Sequence, residues 1–153
     1  MCNTISIAKP QDLDKINHLF SAIRADSDSH YKPPVDYTLD DVRQTGKNRV
    51  VFVAKDNGRI AGYLDLHSER SFQTDNIATF EMGVHPHGRL KGCATSLLKE
   101  TLQYVREETK LQRFEIKVLK NNLKAKRLFI KIGFCYLNQS HPKGDDMALN
   151  IER

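Results

Sequence analysis

Residues Glu81 to Glu108 read EMGVHPHGRLKGCATSLLKETLQYVREE, and the fold follows from this stretch. Its first residues continue an extended apolar run from Thr79 to Val84, which stops at His85-Pro86. From Leu90 the pattern turns helical, with Leu97, Leu98, Leu102 and Val105 on one apolar face. Between them lies a tight basic loop, Arg89-Leu90-Lys91-Gly92-Cys93-Ala94. A strand that enters a helix through a glycine-containing turn leaves several main-chain N–H groups unpaired and aimed at one point. Those donors, the positive end of the helix dipole and the loop cations together predict an anion cradle.

Upstream, Thr4 to Ala8 alternates apolar and polar residues and predicts a strand. Pro10-Gln11-Asp12 opens a helix whose Leu13, Ile16, Leu19, Phe20 and Ile23 form one buried stripe. Asp26 to Tyr37 is polar and holds Pro33-Pro34, so it reads as a loop. Thr38 predicts an N-cap for a short helix from Leu39 to about Gln44, stopped by Gly46. Arg49 to Lys55 and Ile60 to Leu66 flank Asn57-Gly58, a strong hairpin signal. Ser68 to Asn76 is a polar loop, and Ile77 to Val84 completes an antiparallel meander.

Downstream, Arg113 to Leu119 turns Phe114, Ile116 and Val118 inward as a strand. A strand, a crossover helix and a further strand predict a parallel pair. Asn122 to Ile132 reads as a short helix burying Leu128, Phe129 and Ile132, capped by Gly133. Phe134 to Leu137 and Met147 to Ile151 are closing strands with a polar loop between.

At 153 residues the chain suits one domain with its own core. No apolar run approaches membrane-spanning length, and the first residues do not begin a signal peptide. Cys2, Cys93 and Cys135 are an odd number without metal-like spacing, which predicts a reduced, cytoplasmic chain. The net charge of +5 is unevenly spread. Seven acids face four bases between Pro10 and Thr45, whereas twelve Lys and Arg face four Glu between Arg89 and Lys131. One part should favour a polyanion and another a cation, unless the basic residues are simply a solvated face.

Two motifs carry a resemblance. Val84-His85-Pro86-His87-Gly88-Arg89-Leu90-Lys91-Gly92-Cys93-Ala94 resembles the Arg/Gln-x-x-Gly-x-Gly/Ala signature of the GNAT superfamily of N-acetyltransferases. Asn122-Leu123-Lys124-Ala125, with Gly133-Phe134 downstream, resembles that family's Asn-x-x-Ala segment. The element order matches over nearly the whole chain. The resemblance implies an α/β (α+β) fold in one domain, 1–153. It implies a mixed, mostly antiparallel central sheet of about six to seven strands, a parallel pair at its centre, and helices on both faces. It also implies acetyl-CoA as co-substrate, no metal, an amine acceptor on a small molecule or peptide, and a monomer or homodimer.

Roles follow from the resemblance position by position. Main-chain N–H groups of Arg89, Leu90, Lys91, Gly92, Cys93, Ala94 and Thr95 would hold the pyrophosphate, with Arg89 and Lys91 adding charge. Met82 and Val84 would pair with the pantetheine arm, and the Met82 N–H would polarise the thioester carbonyl. Asn122 would bond the pantetheine, Ala125 and Phe129 would line the cofactor, and Lys126 and Lys131 would reach the nucleotide phosphates. Glu81 is the first candidate base and His85 the second. Alternation places Glu81 with Gly83 and His85, opposite Met82 and Val84, one residue from the family's usual register. A bulge would change that facing. The bland alternative for Glu81 is a carboxylate paired with a neighbour.

Phe129 stands where many family members carry a tyrosine that protonates the leaving thiolate. Tyr136, Tyr104, water or no group takes that role. Motif position explains Cys93 better than nucleophilic catalysis. Asp26 to Tyr37 and Ser68 to Asn76 would form two lips of the acceptor cleft, with Asp26, Asp28, Asp36, Tyr31 and Tyr37 attracting a cationic amine. Two rival readings remain, a catalytically inactive acyl-CoA sensor and a nucleic-acid-binding module supported by charge alone. His85 and His87 with Cys93 lack a fourth zinc ligand.

Overall fold

A computed structural model describes residues 4–33, 35–43 and 46–153, and the backbone alone for residues 89–91 and 138–141. The described residues form a seven-stranded sheet in the order β1-β2-β3-β4-β5-β7-β6. Its strands are β1 (Thr4–Ile7), β2 (Arg49–Asp56), β3 (Arg59–His67), β4 (Ile77–Val84), β5 (Arg113–Leu119), β6 (Cys135–His141) and β7 (Gly144–Asn150). All neighbouring pairs are antiparallel except β4 with β5. The parallel pair arises because α3 (Cys93–Glu108) carries the chain back between them.

The β2–β3 hairpin closes with Asn57 at φ 52° and Gly58 at φ 79°. Positive φ at both central residues is the turn that matches strand twist, so Asn-Gly sets this register. The sheet then sorts its side chains by alternation. Val51, Val53 and Tyr63 pack with Ile16, Leu19, Phe20 and Ile23 of α1 (Leu13–Ala25) and with Val42 of α2 (Leu39–Arg43). Phe52, Ala54, Leu64 and Leu66 pack on the other face with Leu97, Leu98 and Val105 of α3. Phe129 of α4 (Leu123–Ile132) joins that second core beside Phe80, Phe114 and Phe134.

Three expectations change. The central helix begins at Cys93 rather than Leu90, after a 3-10 helix over Pro86–Lys91. Gly92 at φ 75° joins the two, a left-handed conformation that favours glycine. The closing strands are longer than their apolar pattern indicated, because β6 and β7 form a hairpin whose ladder carries polar residues. Cys93 is buried and disulfide-bonded, so the reduced chain expected from the cysteine count does not hold; Cys135 is free and exposed. Gln44, expected to end the short helix, lies outside the described residues.

Candidate active site

The site begins where two strands part. β4 and β5 pair only at Ile77↔Arg113 and Ala78↔Phe114, then diverge. β3 and β4 stay in register from His67↔Thr79 to Gly62↔Val84 with no bulge. The His85 N–H donates to the Ala61 carbonyl at 2.7 Å. In an antiparallel ladder alternate residues turn their main-chain groups to the same neighbour, so Gly83 and Glu81 also face β3. Met82 and Val84 therefore turn theirs toward the gap that β5 has left.

That gap is a cleft of about 590 Å³. Met82, Gly83 and Val84 form its floor, and Gly92, Ala94 and Thr95 its end at the start of α3. The Ser96 N–H donates to the Gly92 carbonyl at 3.1 Å, the first bond of the helix. The N–H groups of Cys93, Ala94 and Thr95 precede it and have no acceptor within the helix. Asn122, Lys124, Ala125, Arg127 and Phe129 make the opposite wall. Asn122 caps α4, its Oδ1 accepting from the Ala125 N–H at 3.3 Å.

The other end of the cleft meets the loop after α1, through Asp28, Ser29, His30 and Tyr31. That loop is tied down. Ser29 Oγ donates to the Tyr31 carbonyl at 2.6 Å, and Lys32 Nζ donates to the Asp26 carbonyl at 2.5 Å. The Tyr31 and Tyr63 hydroxyls are hydrogen-bonded, and Tyr31 also donates to Glu81 Oε2 at 3.3 Å. Burial pushes the Tyr31 phenol up, and the Glu81 carboxylate adds to this. Burial likewise raises Tyr63, with Tyr31 beside it. Both stay neutral at physiological pH.

Glu81 lies directly opposite Asp65 on β3, a like-charge pairing that a sheet tolerates only with counter-partners. Asp65 has them: Arg49 donates from Nη2 at 2.7 Å and Nε at 3.1 Å, and Tyr37 donates its hydroxyl. Arg49 also holds Asp41 at 2.7 Å. Among the described residues Glu81 has the Tyr31 phenol as its side-chain partner, and it is exposed to solvent. With no bulge in the β3–β4 ladder, it stays on the α1 face as simple alternation predicts.

Most residues singled out from the sequence converge here, and some do not. Met82, Val84, Gly92, Ala94, Thr95, Asn122, Ala125 and Phe129 line one cleft. The side chains of Arg89, Leu90 and Lys91 lie outside the described residues. Lys126 does not line the cleft: its Nζ bonds Asp145 Oδ2 at 2.6 Å and the Lys120 carbonyl at 2.8 Å. Lys131 is exposed elsewhere, while Lys124 and Arg127, not singled out before, stand at the wall. Asp36 is taken by Arg24 at 2.5 Å. The Ser68 to Asn76 loop is no lip of this cleft. It packs at the far end of β4, where Gln73 Nε2 donates to the Glu108 carbonyl at 2.7 Å.

His85 caps the 3-10 helix, its Nδ1 accepting from the His87 N–H at 3.1 Å. A second cavity, about 610 Å³, lies behind that helix between Lys15, His18, Arg59 and His87. It touches neither the strand gap nor the α3 N-terminus. Among the described residues no group of three or more His, Cys, Asp or Glu is placed to hold a metal ion. Among them, too, no helix is long and apolar enough to cross a membrane.

A parallel pair splayed at its centre, with a glycine-led helix start on one side and a capped helix on the other, frames a single cleft in a mixed α/β fold. The profile of the Acetyltransferase (GNAT) family matches residues 13–134, and the chain belongs to that family. Comparison with curated proteins finds no significant sequence relative. Among solved structures, an acetyltransferase of the GNAT family from Streptococcus pneumoniae superposes with a TM-score of 0.79 at 19% identity, covering 97% of this chain and 99% of its own. The yncA protein of Salmonella typhimurium, solved with its cofactor acetyl-CoA, gives 0.74 at 22% identity, covering 97% and 94%. The ribosomal-protein-S18-alanine N-acetyltransferase of Escherichia coli gives 0.71 at 19%, covering 98% and 94%. At these identities the likeness is one of fold.

Proposed function

We propose that the chain transfers an acetyl group from acetyl-CoA to a primary amine by direct attack within a ternary complex. The observation that carries this reading is the parting of β4 from β5 after Ala78, which turns Met82 and Val84 main-chain groups into a cleft ending at the α3 N-terminus. An extended pantetheine arm fits that gap as a half-strand, pairing with Met82 and Val84. The Met82 N–H then donates to the thioester carbonyl oxygen as negative charge develops there. The N–H groups from Arg89 to Thr95 and the charges of Arg89 and Lys91 receive the pyrophosphate. Asn122, Ala125 and Phe129 flank the arm, and Lys124 and Arg127 take the role at the phosphates that Lys126, held by Asp145, leaves.

The acceptor half differs in charge. Asp28 and Glu81 sit on its side with Tyr31 and His30, which favours an amine that arrives as a cation. A lysine-type amine starts near pKa ~10.4 and needs a base to react. Glu81 is that base. Thiol release from acetyl-CoA with diaminobutane, spermidine, lysine ethyl ester and a lysine-bearing peptide tests the reaction. Turnover with at least one amine is expected, falling on the order of 100-fold in Glu81→Gln. Full activity in that variant would remove Glu81 from the chemistry.

Phe129 supports one second reading. It lines the cleft without a hydroxyl, so it donates no proton to a leaving thiolate. A chain that binds acyl-CoA without turning it over would release no thiol with any of these amines while still binding the thioester.

A further inference from the structure

Resting on the acyl-transfer reading above, we propose that Tyr31 is the catalytic group that removes the proton from the attacking amine and hands it to Glu81. Among the described residues, Tyr31 lines the cleft and Glu81 does not. Glu81 meets the cleft through the Tyr31 hydroxyl, at 3.3 Å from Oε2. A proton leaving a nitrogen inside the cleft therefore reaches the carboxylate through this phenol.

The hydrogen-bond directions favour the same course. Tyr31 carries one hydroxyl proton, and it points at Glu81. The Tyr63 hydroxyl must then donate to Tyr31 in the bond they share, since Tyr31 has no second proton to give. One lone pair of the Tyr31 oxygen is filled by Tyr63, and one remains for a donor in the cleft. An amine N–H fits that place.

Once the arriving ammonium has lost one proton to solvent, the neutral amine nitrogen bonds to the acetyl carbonyl carbon, becomes cationic and leaves its N–H acidic. That proton passes to the Tyr31 oxygen while the Tyr31 proton passes to Glu81 Oε2. The carbon–sulfur bond breaks, its electron pair leaves on the CoA sulfur, and solvent protonates the thiolate. Glu81, exposed on its outer side, returns its proton to water. Tyr31 ends as it began. Because burial and the Glu81 and Asp65 carboxylates hold the phenol neutral, the two transfers occur together without a free phenolate.

The position of Tyr31 is built in. A Cβ on Gly83 would come within 2.9 Å of Ile23 Cδ1, 3.1 Å of Tyr63 Cε1 and 3.5 Å of Tyr31 Cε2. The missing side chain lets both rings lie close to the strand. Tyr63, fully buried, is the positioning residue that fixes the Tyr31 oxygen.

Tyr31→Phe keeps the ring and removes the oxygen. With the best amine of the panel above, kcat is expected to fall on the order of 100-fold, with KM for acetyl-CoA within about twofold. Tyr31→Phe with Glu81→Gln should cost no more than either change alone, because both break one relay. Two independent losses that multiply, or a Tyr31→Phe rate within about twofold of wild type, would overturn the relay while leaving acetyl transfer intact. If the wild type releases no thiol with any amine, the acyl-transfer reading fails and the relay with it. A proton inventory on the wild type in mixed light and heavy water does not depend on a variant's folding. Two protons in flight bend the plot, and a straight line counts against the relay.

Discussion

Gly83 has no room for a methyl group, and the crowding comes from residues that matter to the site. Alanine there would press on Ile23 and Tyr63, both nearly inaccessible to solvent, and so disturb the ring whose hydroxyl holds Tyr31. Overpacking of this kind costs about 1–3 kcal/mol. Gly83→Ala should therefore lose about that much stability in urea unfolding, and lose kcat as well, since a displaced Tyr63 no longer fixes the Tyr31 hydroxyl. A variant with normal stability and normal kcat would mean that the rings adjust freely. Asn122 is a contrasting case. Its side chain caps α4 and also lines the cleft, so Asn122→Ala should cost about 1 kcal/mol as a lost cap and raise KM for acetyl-CoA. If KM is unchanged while stability falls, Asn122 serves the helix alone.

At the scale of elements, α4 is held by charge as well as by Phe129. Lys126 reaches across to Asp145 on β7, with Lys120 at 3.5 Å from the same carboxylate. The hydrogen bond from Lys126 holds Asp145 below the usual carboxylate range. A group whose folded-state pKa is depressed contributes stability above its unfolded pKa, about 3.9, and loses it as pH falls through the folded value. Asp145→Asn should therefore melt earlier than wild type at neutral pH, with the gap closing once pH drops below about 4. A gap that stays constant down to pH ~2 would show that the pair adds nothing through charge. The same latch explains why Lys126 does not serve the nucleotide: a buried ammonium without its carboxylate is costly.

Across the whole molecule, what the sequence revealed and what it hid divide by distance along the chain. Helix faces, the Asn57-Gly58 turn and the crossover that makes β4 and β5 parallel depend on neighbours a few residues apart, so their spacing is legible. The part of the cleft at the starts of α3 and α4 was legible for the same reason, since each half is a short motif at one helix start. At the other end the Asp26 to Tyr37 loop was legible as a lip, but the pairings that fix it were not. Tyr31 meets Tyr63 and Glu81 across 32 and 50 residues, and Lys126 finds Asp145 across 19. No local period encodes such pairs. The Ser68 to Asn76 loop misled because polarity marks a loop without saying which end of the sheet it covers.

The fold also predicts how the ligand should act on stability. Beyond Ala78 the two halves of the sheet share no ladder between β4 and β5, and they are joined there by α3 and the packed phenylalanines. A pantetheine arm laid in the gap adds main-chain bonds that exist only in the folded chain, so binding must stabilise the whole sheet. At a ligand concentration of 100 times Kd the gain is about 2.7 kcal/mol. For a chain of this length each kcal/mol moves the midpoint by about 2–4 °C, so acetyl-CoA should raise Tm by roughly 5–10 °C. Gly92→Val, which forces a branched side chain into a left-handed conformation, should lower the starting Tm and abolish most of the shift. A DNA duplex offers a sharp contrast. It would bind through the Lys and Arg between residues 89 and 131, and its effect should vanish steeply with salt. The thioester's effect, anchored on main-chain N–H groups, should persist. A shift from DNA but none from acetyl-CoA would reverse the assignment of that basic face from solvated surface to binding site.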